Sequence, residues 1–289
     1  MSNPTAAREA RALSVLMCRP TYFTVSYSIN PWMHPENPTD TSRAIAQWDA
    51  LVATYRELGF EVDFIDPLPG LPDMVFAANG GLVVDGLAYT ANFRYDQRRP
   101  EAGAYAEWFA GAGLTVADAQ FINEGEGDLL VVGDAILAGT GFRSTTESHA
   151  ELAGLVRHQV IPLTLVRDDF YHLDTALAVL DARPGHEQIA YLPSAFDAAS
   201  LEVLRSRYPD AIEASEDDAA VFGLNAVSDG LHVVTAAAAT HFQAQLAERG
   251  FEPIGVDMSE LRLSGGGAKC CTLEIRRHPS TSQMDPFAE

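Results

Sequence analysis

The segment GLVVDGLAYT, residues 81–90, contains the most informative pattern in the chain. Two short apolar runs flank an Asp-Gly pair, and this pair is strongly preferred in the two-residue turn of a β-hairpin. The segment therefore predicts two antiparallel strands joined by a turn at Asp85 and Gly86.

Related segments recur along the chain at intervals of roughly 45 to 51 residues, a range typical of repeated supersecondary units. They lie at residues 129–138, 175–192 and 225–234, and at a strand predicted near Cys271. Helices are predicted between them, over residues 101–112, 145–156, 198–207 and 238–249. A first strand at residues 12–18 and a helix that begins after residues 38–40 complete the set. We infer an α/β fold of about five strand-hairpin-helix units that close into a ring. A doubly wound sheet is the alternative, but its parallel strands would not pair as hairpins.

Bulk composition limits the classes of partner. The chain has 289 residues, with 40 Asp and Glu against 19 Lys and Arg, and a formal net charge of −21. Such an excess repels nucleic-acid phosphates and anionic lipids, so we expect neither nucleic acid nor membrane as a partner, and it favours cationic ligands. Three cysteines, two of them adjacent, indicate a reducing cytoplasm rather than a disulfide framework.

The chain order predicts one domain between two short terminal segments. Residues 1–10 carry no apolar signal core, and no apolar run approaches the length of a membrane span. We expect a flexible N-terminus at residues 1–10, a single catalytic domain at residues 11–277 and a flexible tail at residues 278–289.

A glycine-rich segment near the C-terminus predicts a nucleophile. Residues 263–275 read LSGGGAKCCTLEI, in which three glycines free the backbone and a strand-like run follows the cysteines. A thiol at such a junction lies at a strand tip, where a substrate can approach it. We predict that Cys270 is a nucleophile. The plain alternative is that Cys270 and Cys271 are small buried core residues.

Polar residues also mark three earlier junctions. Asn79 interrupts an apolar run before two glycines, residues 123–128 read NEGEGD, and His172 and Asp174 are predicted on one face of a strand. Each has a plain alternative: Asn79 could be a turn residue, residues 123–128 a solvated loop and His172 a core histidine. The acidic loop lacks the bidentate glutamate of a calcium loop, and no His/Cys spacing fits a structural zinc site. We expect no metal and no cofactor.

Two arginines, together with the acidic residues above, indicate the kind of ligand. Arg94 and Arg143 each follow a predicted hairpin. Carboxylates bind a planar cation, whereas an arginine binds a carboxylate through a bidentate fork. The combination predicts a small molecule with a guanidinium at one end and a carboxylate at the other.

The motifs resemble those of the guanidino-group-modifying superfamily, which includes arginine deiminases, dimethylarginine dimethylaminohydrolases, amidinotransferases and bacterial arginine dihydrolases. The resemblance extends from residues 30–33 through the motifs at 124–128 and 172–175 to Cys270. It implies a five-bladed, pseudo-symmetric α/β propeller, the pentein fold, built from ββαβ-type units. This fold agrees with the repeats described above.

The resemblance also implies roles for individual residues. Cys270 would be the nucleophile, His172 the general acid/base and Glu124 the carboxylate beside it. Six residues would bind the substrate: Asn79 and Asp174 at the guanidinium, Arg94 and Arg143 at the carboxylate, and also Asn30 and Asp128. Deiminases read Glu-Gly-Gly-Asp where this chain has an additional acid, Glu126, so the choice between Glu124 and Glu126 stays open.

Asn79 departs from the deiminase pattern. Deiminases and dimethylarginine hydrolases usually carry an aspartate there, whereas residues 76–80 and 29–33 look more like arginine dihydrolases. A carboxylate only accepts hydrogen bonds, but an amide also donates them, which suits a neutral ureido oxygen. We therefore predict a hydrolase that converts arginine to ornithine, ammonia and CO2 through a covalent thiouronium. The alternative is a dimethylarginine dimethylaminohydrolase. An amidinotransferase and a non-catalytic arginine-binding module are further rivals, and a homo-oligomer is left open.

Overall fold

The computed structural model describes residues 8–277. Apart from residues 8–10, the terminal segments predicted to be flexible lie outside this range, and the single-domain boundaries stay a prediction. The strands are β1 Ser14–Cys18, β2 Glu61–Ile65, β3 Gly81–Val84, β4 Leu87–Thr90, β5 Thr115–Ala117, β6 Leu129–Val132, β7 Ala135–Thr140, β8 Gln159–Thr164, β9 Leu177–Asp181, β10 Gln188–Tyr191, β11 Ile212–Glu213, β12 Val227–Ser228, β13 His232–Ala236, β14 Glu252–Val256 and β15 Leu273–Glu274. The helices are α1 Thr41–Glu57, α2 Glu101–Gly111, α3 Thr146–Ala153, α4 Leu173–Ala176, α5 Ala198–Arg207, α6 Glu216–Ala220 and α7 Thr240–Glu248.

The strands form five separate three-stranded sheets with one shared topology. Their strand orders are β15-β1-β2, β3-β4-β5, β6-β7-β8, β9-β10-β11 and β12-β13-β14. In each sheet the first two strands are antiparallel, and the third strand joins the second in parallel after a helix. The predicted α/β class and the recurring hairpin units are confirmed. The doubly wound alternative is wrong, because each sheet contains an antiparallel pair.

The first sheet joins the two ends of the described chain. Strand β15 pairs antiparallel with β1, with Leu16 opposite Leu273. The unit that begins the chain is therefore completed by a strand from its far end.

Local signals account for the elements that were predicted correctly. Asp85 and Gly86 have φ values of 49° and 72°, as a tight hairpin turn requires, and they connect β3 to β4. Helix α1 begins after Asp40, whose side chain accepts a hydrogen bond from the Arg43 backbone N–H at 3.0 Å. The bounds of α5 coincide with the predicted helix at residues 198–207.

Two predicted strand positions are wrong. His172 and Asp174 do not lie on a strand, because Asp174 lies within helix α4 and His172 precedes it. Local hydrogen bonds account for the helical turn, since both the backbone N–H and the hydroxyl of Thr175 donate to the His172 carbonyl. Cys271 also precedes its predicted strand: β15 begins at Leu273, and the cysteines lie in a turn.

The first strands of the sheets lie deep in the fold. Every residue of β3 and β6 is buried, which explains their continuous apolar sequence. Polar residues placed immediately before such strands are carried into the interior of the molecule. Within residues 8–277, no helix has the length and apolar character needed to cross a membrane.

Candidate active site

Buried polar residues occupy equivalent places in the five units, and all of them except Asn225 were predicted to be functional from the sequence. In each unit they lie shortly before the first strand of the sheet, and all are buried with at most 2% of their surface exposed. They are Asn79 before β3, Glu124 before β6, His172 and Asp174 before β9, Asn225 before β12 and Cys270 before β15. Each unit therefore contributes at least one polar side chain to the interior.

The Cys270 sulfur lies between a carboxylate and an amide. Its Sγ atom is 3.1 Å from Asp174 Oδ2 and 3.1 Å from Asn225 Nδ2. The other oxygen of Asp174, Oδ1, is buried, and no group among residues 8–277 donates a hydrogen bond to it. A buried acceptor without a donor is rare in a folded protein, and its position beside the thiol indicates a place for a ligand that donates.

Neither the thiol nor this carboxylate is stabilised in its charged form. Burial raises the pKa of Cys270 well above its ordinary value, and the adjacent Asp174 raises it further. Burial also raises the pKa of Asp174 to about 6, although His172 and the Cys270 hydrogen bond oppose the increase. A cation at this position would favour both anions, so the site is electrostatically suited to a positively charged ligand.

A second group of ionisable side chains centres on Glu124. Its Oε2 atom lies 2.8 Å from His172 Nε2 and 2.8 Å from the Arg143 guanidinium. Burial alone would raise the pKa of Glu124, but Arg143 and His172 together lower it well below its ordinary value. Glu124 is therefore ionised, and it orients the His172 imidazole.

Glu126 points elsewhere. Its carboxylate forms ion pairs with Lys269, at 2.5 Å, and with Arg276. The question that the sequence left open therefore has a geometric answer, because Glu124 contacts His172 and Glu126 contacts the residue that precedes Cys270.

Asn79 is held in one orientation. Its Oδ1 atom accepts a hydrogen bond of 2.6 Å from Arg98, whose guanidinium also forms a bidentate ion pair with Glu101. Arginine can only donate, so the amide oxygen must face Arg98. The amide nitrogen then donates to the Glu124 carbonyl at 3.3 Å and retains one further N–H.

Gly127 allows the Asn79 and His172 side chains to pack closely against the backbone. A Cβ atom on Gly127 would lie 2.3 Å from Asn79 Nδ2 and 3.2 Å from His172 Cδ2. Only a residue without a side chain leaves room for the amide and the imidazole on either side of it.

The two arginines predicted to bind a carboxylate are both near Glu124. Arg143 donates to the Ile29 carbonyl at 2.9 Å and lies over the ring of Tyr171 at 4.4 Å. Arg94 is half-buried, and its Nε atom donates to the Arg143 carbonyl at 3.0 Å. Arg143 is thus engaged with protein groups, and the role of both arginines in binding stays a prediction.

Asn30 and Asp128 have different surroundings. Asn30 donates to the Tyr171 hydroxyl at 3.2 Å and to the Ser264 carbonyl at 3.1 Å, next to the glycine-rich segment. Asp128 accepts from the backbone N–H of Leu173 at 3.1 Å and from the hydroxyl of Ser144 at 2.6 Å. Asp128 therefore fixes the backbone beside His172, and its contacts are with the protein.

Three contributors were missed by the sequence reasoning. Asn225 occupies the junction of the fifth unit, so the repeat itself was a signal for it. Tyr171 donates to the Gly265 carbonyl at 2.7 Å, and Arg98 fixes Asn79. For these two no sequence signal was available, since both contacts join distant segments. Within the described range, no group of three or more His, Cys, Asp and Glu side chains is arranged to hold a metal ion.

Comparison with known proteins gives consistent matches over nearly the whole chain. The family model described as "N,N dimethylarginine dimethylhydrolase, eukaryotic" matches residues 19–277. An N(G),N(G)-dimethylarginine dimethylaminohydrolase of Mycobacterium tuberculosis is 51% identical over 274 residues, which cover 95% of this chain and 89% of that protein. The bifunctional arginine dihydrolase/ornithine cyclodeaminase ArgZ of Synechocystis is 36% identical over 272 residues, which cover 91% of this chain but 38% of ArgZ.

Solved structures give the same picture. The N-terminal domain of ArgZ, an arginine dihydrolase from the ornithine-ammonia cycle in cyanobacteria, bound to substrate, matches with a TM-score of 0.87 at 35% identity. The match covers 92% of this chain and 99% of that one. A dimethylarginine dimethylaminohydrolase of Pseudomonas aeruginosa in complex with citrulline has a TM-score of 0.76 at 18% identity and shares the fold.

Proposed function

The chain belongs to the dimethylarginine dimethylaminohydrolase family, and we propose that it hydrolyses the guanidinium group of free arginine or of an N-methylated arginine, with Cys270 as the nucleophile. The observation that carries the proposal is the unsatisfied Asp174 Oδ1 atom beside the Cys270 thiol. A guanidinium has N–H donors and a positive charge, and it would supply both to this carboxylate while presenting its central carbon to the sulfur.

The first half-reaction forms a covalent intermediate. The bound cation favours ionisation of the Cys270 thiol, and we assign the released proton to His172. The thiolate attacks the guanidinium carbon and forms a C–S bond. His172 then returns the proton to the departing nitrogen, the C–N bond breaks, and ammonia or a methylamine leaves. A cationic thiouronium remains on Cys270.

The second half-reaction consumes water. His172 takes a proton from the water, whose oxygen attacks the thiouronium carbon, and the C–S bond breaks. The protonated His172 returns its proton to the sulfur. The protonated ureido group releases its extra proton to solvent, where the ammonia or methylamine from the first half-reaction takes it up. Glu124 keeps the imidazole oriented and stabilises its charged form in both halves.

The orientation of Asn79 favours a second round of hydrolysis. Arg98 occupies the amide oxygen, so Asn79 offers the substrate an N–H donor. A guanidinium has no acceptor for that donor, but a ureido group has its carbonyl oxygen. In the second round the ureido carbon is attacked, a second ammonia leaves, and hydrolysis of the thiocarbamate gives a carbamic acid that loses CO2. The product from arginine would be ornithine, as in an arginine dihydrolase.

Dimethylarginine hydrolysis is the second candidate, favoured by the 51% identity to a dimethylarginine dimethylaminohydrolase over 95% of the chain. Mass spectrometry of the products from arginine, monomethylarginine and dimethylarginine separates the two. Ornithine from arginine supports the dihydrolase, whereas dimethylamine with citrulline from dimethylarginine supports the alternative. An inert protein, or a Cys270→Ser variant with full activity, would overturn the proposal as a whole.

We also propose that the five sheets are the blades of a five-bladed α/β propeller. Contacts between first strands of different sheets support this arrangement, since β15 contacts β3, and β9 contacts both β6 and β12. An experimental structure tests it directly. The free, buried cysteines Cys18, Cys270 and Cys271 fit a reducing compartment, and we propose the cytoplasm. Fractionation of the host cell tests that location.

A further inference from the structure

Both ends of the Asn225 amide form hydrogen bonds with Cys270 and with the residues beside it. Its Oδ1 atom accepts hydrogen bonds from the backbone N–H groups of Gly267, at 3.1 Å, and of Cys270, at 3.0 Å. Its Nδ2 atom lies 3.0 Å from the Asp174 carbonyl and 3.1 Å from the Cys270 sulfur. The residue is completely buried. One amide thus connects the glycine-rich segment, the sulfur and the helical turn that carries Asp174.

The chemistry of these contacts fixes the direction of the amide. Two backbone N–H groups can only donate, so the atom that faces them must be the oxygen. The NH2 group must then face the Asp174 carbonyl and the sulfur. The contact with Cys270 is therefore an N–H that points at sulfur, and such a donor stabilises a thiolate more than a thiol.

Burial and the acidic groups around the sulfur act in the opposite direction. His172 and Lys269 act electrostatically on Asp174, whereas the titratable groups that act on the sulfur itself are Asp174, the adjacent Cys271 and Tyr171. All three are neutral or negatively charged. Burial and Asp174 raise the pKa of Cys270, and a hydrogen bond from the backbone at Gly267 lowers it. Within the described residues, Asn225 is the side chain that donates to the sulfur.

We propose that Asn225 is a positioning residue for Cys270, which it assists by holding the nucleophile segment in place and by donating a hydrogen bond to the sulfur when this carries negative charge. The inference rests on the proposed role of Cys270 as nucleophile. The inference assigns a function to the unit that contains strands β12, β13 and β14, for which the sequence analysis predicted no functional residue.

The nearly isosteric variant Asn225→Asp removes the donor and also adds a negative charge beside the sulfur. It retains an oxygen for the two backbone N–H groups but replaces the NH2 group with a second oxygen. We expect kcat for arginine to fall about tenfold to a hundredfold, the effect of one hydrogen bond to a charged group, with KM changed much less. The pH midpoint for iodoacetamide labelling of Cys270, resolved from Cys271 by fragment mass spectrometry, should move upward by about one pH unit.

Two further variants complete the test. Asn37→Asp makes the same chemical change on an exposed turn, and it should leave kcat and the labelling profile unchanged. Asn225→Ser removes the donor without adding a charge, and it should move the labelling midpoint upward by a smaller amount. This variant tests the inference if Asn225→Asp folds poorly.

The outcomes separate this inference from the proposed function. If a folded Asn225→Asp or Asn225→Ser protein keeps both the wild-type labelling profile and the wild-type kcat, while Cys270→Ser is inactive, Asn225 has no role at the sulfur and only this inference fails. If kcat falls but the labelling midpoint stays unchanged, Asn225 supports the fold alone and the inference is likewise overturned. Full activity of Cys270→Ser would instead remove the proposed function itself.

Discussion

The Asp174 carboxylate lies 3.1 Å from the Cys270 sulfur, and its second oxygen is buried without a donor among residues 8–277. Both groups resist ionisation in this environment, because burial raises the pKa of each. A buried carboxylate that lacks a partner costs stability. Such a cost is reasonable where a cationic substrate will complete the hydrogen bonding and neutralise the charge.

Removal of the Asp174 charge should weaken recognition of the cation. In Asp174→Asn the shape is kept, but the guanidinium loses its charged partner in a desolvated site. Loss of one partner from a buried charge pair costs about 2–5 kcal/mol, so arginine affinity should fall at least thirtyfold or so. Calorimetric titration of arginine in a Cys270→Ser background measures this directly. We also expect a higher melting temperature, since a buried charge has been removed. Unchanged affinity would exclude Asp174 as a guanidinium ligand.

Arginine binding should depend on pH through Asp174. Its pKa in the folded protein is about 6, raised from 3.8 by burial, while the guanidinium stays charged throughout this range. The folded state holds the proton more tightly than the unfolded chain, so the contribution of this group to stability decreases as pH rises from about 4 to about 6. Binding needs the carboxylate, so affinity should increase as pH rises to about 6 and then level off. Below that value it should fall about tenfold per pH unit.

Calorimetry in two buffers with different ionisation enthalpies provides the readout for this pH dependence. With Cys270→Ser, one proton should be released for each arginine bound below pH 6, and none well above it. The Asp174→Asn variant is the control and should show neither the slope nor the proton release. If the Cys270→Ser protein, in which Asp174 is intact, took up a proton on binding arginine, Asp174 would not be the group that loses a proton when arginine binds.

Asn79 should decide whether the reaction stops after one round. In Asn79→Asp the N–H donor that faces the substrate becomes an acceptor, which suits a guanidinium but repels the oxygen of a ureido group. Arginine should still be consumed, while citrulline accumulates at the expense of ornithine. The ratio of the two products, measured by mass spectrometry over a time course, is the observable. A wild-type ratio of ornithine to citrulline would show that Asn79 does not retain the ureido intermediate.

The parts of the fold that were predicted correctly depend on local sequence. The turn at Asp85 and Gly86 is specified by those two residues, and helix α5 begins after Asp197, whose side chain caps the Ser200 N–H at 2.8 Å. Such signals act within a few residues, so a reader of the sequence can use them. The recurrence of these units then predicts the number of sheets.

The parts that were missed depend on contacts between distant segments. The strand predicted at His172 is a helical turn with local hydrogen bonds to the His172 carbonyl, and Asp128, far away in the sequence, fixes its position by accepting the Leu173 backbone N–H. Arg98 and Glu101 are three residues apart and could be paired from the sequence, but the contact of Arg98 with Asn79 requires the fold. Asn225 was predicted to begin a hairpin without being assigned a function, although its place in the repeat matches that of Asn79.

The different partners of Glu124 and Glu126 predict different consequences for the same substitution. Glu124→Gln weakens the group that orients His172 and stabilises its charged form. Loss of assisted proton transfer should reduce kcat about a hundredfold in protein that is still folded. Glu126→Gln instead removes the negative charge that pairs with Lys269 and Arg276. Glu274 remains as a second partner of both cations. The loss should therefore be smaller than the roughly 3–5 kcal/mol of a fully broken buried pair, and its main effect should be a lower melting temperature.

The comparison requires both variants to be measured below their melting temperatures, with the folded fraction determined by circular dichroism. Some loss of stability is expected for Glu124→Gln as well, because Arg143 is buried against it. The distinguishing quantity is therefore kcat per folded molecule, which should fall for Glu124→Gln and stay within a few-fold of wild type for Glu126→Gln. The reverse pattern would mean that Glu126 assists His172, in conflict with the 2.8 Å contact between Glu124 Oε2 and His172 Nε2.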